Sequence, residues 1–316
     1  MKNFDPFDPP KPSIERKTSE GSISKTVFSM VLFALTFSLI ISDYLLIFFL
    51  VLVLLIHELG HFVFMKLYDY KGLKMLFIPF MGALVQGEKK KYSQQESAIM
   101  LIAGPLPGII IGFFLLQYGI NENILWLIQL GILFMALNVV NLIPIDPLDG
   151  GQLMRVLFFG NQAFFQFVFS FLSSLFLIGI GVWLDAWLLI IFGFLLGFRV
   201  KKMFKIYQIR KEISAESIEC ESTYEKLTDK AFAKIKSIIL KYTPILKRIK
   251  EDSSEDKFDQ IIAHQVDGVL IPPLIKDASR LFKLSVLILW IGAIFLSVYT
   301  IFTLDFNDLI YAFQNR

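Results

Sequence analysis

The sequence predicts an all-α polytopic membrane protein of about seven transmembrane helices, with a short membrane-associated re-entrant loop or β-hairpin among them. Three observations carry this expectation. Hydrophobic residues make up 55% of the 316-residue chain and the mean hydropathy is +0.62. Apolar runs long enough to cross a bilayer recur along the chain with few charges inside them. Lysine and arginine gather in every second connection between those runs, the bias that orients membrane proteins.

Taken in order, residues 1–26 are polar and include Pro6, Pro9, Pro10 and Pro12, which reads as a flexible cytoplasmic tail. A secretory signal has a short basic start and a small-residue cleavage site after its apolar core. This pattern differs, so the next segment reads as a retained anchor. The apolar block from Val27 to Met65 is too long for one span of about 20 residues, and Ser42-Asp43-Tyr44 divides it into spans near 27–42 and 45–65. Residues 75–85 are apolar but too short to cross, and Pro79 and Gly82 disfavour a regular helix there. Further spans are expected near 97–117 and 124–143, then a helical hairpin over 164–198 turning near Asp185, and a last span over 284–303. Residues 27–198 would thus form a six-span core, 199–283 a cytoplasmic polar region, and 284–316 the final span with a short outward tail.

Lysine placement orients this arrangement. Lys66, Lys71, Lys74 and Lys89-Lys90-Lys91 lie between spans two and three, and Arg155 between four and five. Residues 199–283 carry 18 Lys+Arg against 13 Asp+Glu, whereas the alternate connections near 43, 118–123 and 183–187 carry no Lys or Arg. The N-terminus is therefore expected in the cytoplasm and the C-terminus outside, and the compact size suggests a bacterial cytoplasmic membrane. Within the polar region, Ala231–Arg248 has helical apolar spacing and reads as an amphipathic helix packed on the protein or lying on the membrane surface. The basic residues sit beside spans, which points to anionic lipid and not to nucleic acid. Cys220 is the single cysteine, so an intramolecular disulfide and a multi-cysteine metal site are excluded.

The chemistry concentrates in His57-Glu58-Leu59-Gly60-His61. On a helix the two imidazoles lie one turn apart on one face, where they can share one Zn²⁺ with Glu58 placed beside the metal's water. Between Asp43 and Lys66, His57, Glu58 and His61 are the residues that can carry charge near neutral pH. Inserting a charge at mid-helix costs on the order of 3 kcal/mol, so such groups normally face a cavity and perform a task. The plainer alternative is three interfacial residues at the headgroup boundary. The third histidine, His264, lies in the polar region and is expected to be solvated.

Catalytic zinc takes three protein ligands and keeps one open position. The candidate for the third follows the fourth span, in Asn141-Leu142-Ile143-Pro144-Ile145-Asp146-Pro147-Leu148-Asp149-Gly150-Gly151. The prolines end the helix, and the glycine pair permits a sharp turn after Asp149. The orientation puts this end on the membrane face of the two histidines. Asp146 is the competing ligand.

Together these two motifs resemble the site-2 protease family of intramembrane zinc metalloproteases, and Ala103-Gly104-Pro105 between them looks like the family's core. The resemblance covers about residues 45–155. It implies Asp149 as the third zinc ligand and matches the family's motif asparagine to Asn141. One Zn²⁺ per chain would be held by His57, His61 and Asp149. Glu58 would act as general base, Asn141 would help stabilise the oxyanion, and Asn138, Asn141 and Gln152 would line a water-admitting cavity. A site below the headgroups meets transmembrane protein substrates within the lipid bilayer. Such a substrate must unwind locally, and Gly82, Ala83 and Leu84 are the candidate strand to capture it by main-chain pairing. A divalent-metal transporter would spread ionisable groups along several spans, and an inactive client-binding scaffold has no need of Glu58.

Overall fold

Asp43 shows why the first apolar block breaks where it does. In the computed structural model its carboxylate accepts hydrogen bonds from the backbone N–H groups of Leu45 and Leu46, capping helix α2 (Tyr44–Leu67) and separating it from α1 (Ile23–Ser38). The structure describes residues 10–14, 21–79, 82–89, 91–160, 162–252 and 254–303. Most of the expected flexible tail (1–9 and 15–20) and the outward tail after 303 lie outside these residues. The described stretch at 10–14 is not free: it bonds to Tyr224 and Asp229, and α1 starts at Ile23, inside the stretch expected to be tail.

Among the described residues, five helices are long and apolar enough to cross a membrane: α2, the continuous pair α3 (Gln94–Ala103) and α4 (Pro105–Asn121), α5 (Leu125–Leu142), α7 (Ala163–Trp183) and α12 (Arg280–Thr303). Two of the expected seven fall short. Helix α1 has 16 residues. Helix α8 (Trp187–Ala215) is apolar through Phe198, then meets Arg199, Lys201 and Lys202, and it runs without interruption through the boundary expected at 199.

Residues 75–85 belong to a β-hairpin. Strand β1 (Lys71–Ile78) pairs antiparallel with β2 (Gly82–Glu88), with Lys74 opposite Gln86, Leu76 opposite Leu84 and Ile78 opposite Gly82. The outer edge of β1 is covered by the chain around α1. Gly21 N–H donates to the Leu73 carbonyl, the Thr26 hydroxyl donates to the Met75 carbonyl, and Phe77 N–H donates to the Ser29 hydroxyl. Residues 73, 75 and 77 therefore face α1, and strand alternation makes Ala83 and Val85, the partners of Phe77 and Met75, face away from β1. The backbone groups of β2 at those two residues thus form its outer edge.

Helix α3 begins earlier than the apolar pattern suggests. Ser93 caps it by accepting from Glu96 N–H, a Ser-x-x-Glu start. Pro105 begins α4 directly after Gly104, where an absent N–H costs nothing. The last helix ties back to the fourth expected span: the Trp290 indole N–H donates 2.8 Å to the Leu142 carbonyl, one of the orphan acceptors at the C-terminus of α5. These elements lie in one compact unit, residues 18–89, 93–158 and 276–316.

The other unit contains residues 1–17, 90–92 and 159–275. Helices α7 and α8 form the expected hairpin, with Asp185 at a left-handed φ of 52° in the turn and the Ser174 hydroxyl on the Gly193 carbonyl. Helices α9 (Asp229–Tyr242), α10 (Ile245–Asp252) and α11 (Glu255–Val269) share a core with the end of α8, centred on Ile213, Ile235, Ile239, Ile262 and Val266. The amphipathic run expected over 231–248 is two helices, because Pro244 cannot continue the ladder. Its apolar face is buried inside this unit. Cys220 is in the same core, and His264 is exposed on α11.

Candidate metal centre

Helix α2 places His57 and His61 on one face, both nearly buried. Each imidazole is fixed through Nδ1. His57 Nδ1 lies 2.8 Å from Asn138 Oδ1 on α5, and His61 Nδ1 lies 2.8 Å from the Met100 carbonyl on α3. Asn138 is fully buried and its amide nitrogen donates 2.7 Å to the Phe134 carbonyl, so its oxygen is the atom turned to His57. A carbonyl can only accept, so in the neutral rings both Nδ1 atoms carry the proton and both Nε2 atoms offer a bare lone pair.

Those Nε2 atoms converge on Asp149. They stand 3.2 Å from each other, and 3.1 Å (His57) and 3.2 Å (His61) from Asp149 Oδ2. Two lone pairs and a carboxylate oxygen packed this closely repel one another unless a cation or proton sits among them. Tetrahedral zinc with ligands at about 2.0–2.1 Å separates them by about 3.3 Å. The observed triangle is one face of such a tetrahedron, so the residues fit the metal. Among the described residues this is the one group of three His, Cys, Asp or Glu side chains with ligand atoms this close.

Glycine makes the close helix contact possible. A Cβ on Gly60 would sit 1.9 Å from the Ala103 carbonyl oxygen, and one on Gly104 would sit 2.3 Å from His61 Nε2. Asp149 opens helix α6 (Asp149–Met154), whose glycines lie against the carbonyls of Leu142 and Ile145. The competitor Asp146 points elsewhere: it is fully buried and pairs with Arg155 at 3.3 Å.

Glu58 is buried beside the imidazoles, and its carboxyl faces the backbone N–H of Val85 in β2. The outer edge of β2 therefore runs next to Glu58. Gly82, Ala83 and Leu84 all lie on that strand. Asn141 donates to the Leu137 carbonyl of its own helix at 3.1 Å, and Gln152 to the Pro147 carbonyl at 3.0 Å. Of the three expected cavity-lining amides, Asn138 alone is seen holding one of the two histidines. The sequence pointed to Gly104 through Ala103-Gly104-Pro105, but not to the Met100 carbonyl or to Val85. A backbone carbonyl leaves no sequence signal, but a Gly-Pro at mid-span was a visible one.

Residues 45–124, which carry the two histidines, match peptidase family M50. The match is to that segment and not to the whole chain. The chain is 34% identical over 116 residues to stage IV sporulation protein FB of Bacillus subtilis, covering 34% of this chain and 38% of that protein. It is 36% identical over 107 residues to a zinc metalloprotease of Methanocaldococcus jannaschii, covering 32% of this chain and 31% of that protein. It spans well under half the length of either curated relative. Among solved structures, a site-2 protease from Methanocaldococcus jannaschii aligns over 56% of this chain and 88% of its own, with TM-score 0.42 and 23% identity.

Proposed function

We propose that this chain is an intramembrane zinc endopeptidase that cleaves transmembrane protein substrates. The observation that carries the proposal is the triangle of His57 Nε2, His61 Nε2 and Asp149 Oδ2 with the Glu58 carboxyl beside it. His57, His61 and Asp149 would hold Zn²⁺, which would supply Lewis-acid activation of water and of the scissile carbonyl near neutral pH. Glu58 takes the water's proton and delivers it to the leaving amine. Asn141 retains one amide proton beyond the Leu137 bond, and that proton is assigned to the developing oxyanion.

The substrate's own helix hides its carbonyls, so cleavage needs a locally extended segment. The outer edge of β2, with the Ala83 N–H and the carbonyls of Ala83 and Val85, offers main-chain groups to such a segment next to Glu58, with Gly82 and Leu84 holding the pairing to β1 on the other side. In the bilayer, α1 and α8 complete a seven-span topology with the N-terminus cytoplasmic, the C-terminus outward and residues 199–283 cytoplasmic, in a bacterial cytoplasmic membrane. The lysine bias supports this orientation. Metal transport is disfavoured by the confinement of the ionisable cluster to one end of α2.

The test is co-expression with candidate single-span proteins, comparing wild type with Glu58→Gln. The variant should keep its zinc and lose cleavage. Equal cleavage by both would refute the mechanism.

A further inference from the structure

Outside the metal centre, the most completely satisfied polar cluster is built around Lys11, within the unit that holds α9–α11. The Lys11 ammonium has three protons and meets three backbone carbonyls: Tyr224 at 2.7 Å, Glu225 at 3.0 Å and Leu227 at 2.6 Å. Its Nζ also lies 5.2 Å from the centroid of the Tyr224 ring. The neighbouring backbone is held as well. Lys11 N–H donates to Asp229 at 3.0 Å, the Tyr224 hydroxyl donates to the Pro12 carbonyl at 2.7 Å, and the Gln260 amide donates to the Ser13 carbonyl at 2.8 Å. Ile14 then packs against the core that contains Ile235 and Ile262. Burial, with Asp267, Asp259 and Asp229 nearby, pushes the Tyr224 phenol up to about 12, so it stays a donor to Pro12.

We propose that residues 10–14 are an intramolecular ligand, and that their seat on the α9–α11 unit is a peptide-binding site selective for lysine between prolines. Prolines at 10 and 12 keep the segment extended in advance, which lowers the ordering cost of binding. The three carbonyls match a pyramidal ammonium and not a planar guanidinium, so arginine should fit poorly. Six residues, 15–20, separate this latch from Gly21, whose N–H covers the edge of β1.

The test uses the full-length protein in micelles, spin-labelled at Ser13→Cys with Cys220→Ala. The label should be immobilised, and adding Lys11→Met or Lys11→Arg should raise the mobile fraction at least tenfold. In a second arm, a synthetic peptide of residues 8–14 should bind protein lacking residues 1–14 at least tenfold more tightly than the same peptide carrying Lys11→Met. A label equally mobile with and without Lys11, or equal binding of the two peptides, would overturn the proposal. If the shortened protein fails to fold, the spin-label result decides alone.

Discussion

Replacing Asn138 with leucine removes the acceptor of the His57 Nδ1 proton while keeping the side chain's bulk. The hydrogen bond is 2.8 Å long and Asn138 is fully buried, so no water replaces the lost partner readily. The Phe134 carbonyl that Asn138 also serves lies within helix α5 and keeps its ladder partner. The loss is then one buried N–H left without an acceptor, about 1–3 kcal/mol. His57 can escape part of it by moving the proton to Nε2, which is the tautomer that cannot bind metal. At about 1.4 kcal/mol per factor of ten, zinc affinity should fall roughly 5- to 150-fold, in line with the 10- to 100-fold typical of such supporting residues. Competition between the purified protein and a chromophoric chelator measures this directly. Asn138→Asp keeps an acceptor and should stay within a few-fold of wild type. If Asn138→Leu binds zinc as tightly as wild type, Asn138 does not set the tautomer.

Three further outcomes follow from the same geometry. Gly104→Ala drives a methyl group to 2.3 Å from His61 Nε2, so it should abolish stoichiometric zinc binding, read by elemental analysis of purified protein. Asp149→Asn should lose zinc, whereas Asp146→Asn should keep zinc and lower the thermal midpoint by weakening the pair with Arg155; the opposite pattern would make Asp146 the ligand. Ala83→Pro deletes a main-chain donor on the outer edge of β2, where proline is sterically tolerated. Cleavage of a transmembrane substrate should drop at least tenfold with zinc content unchanged.

How much of this was legible depended on whether the signal was local. His57, Glu58 and His61 stand out because charge is rare in an apolar helix, and Asp149 because two glycines follow it. Ser93 and Glu96 were a readable helix start that apolar periodicity hid, since the first turn of α3 is polar. The transmembrane count was harder. Length and hydropathy blur at α1, cut short before the Asp43 cap, and at α8, which leaves the apolar pattern at Arg199 but stays helical to Ala215. Asn138 could be seen as polar within a span, yet its partner lies 81 positions away. Lys11 looked like one more charge in a tail, because its partners are backbone carbonyls more than 200 residues distant.

The Trp290 hydrogen bond to Leu142 also has a meaning in time. Ribosomes make the chain from its N-terminus, so both histidines and Asp149 exist well before α12 does. Until Trp290 arrives, the carbonyl at the end of α5, just ahead of the loop that delivers Asp149, waits without that donor. The last helix therefore acts as a late fastener for the end of α5.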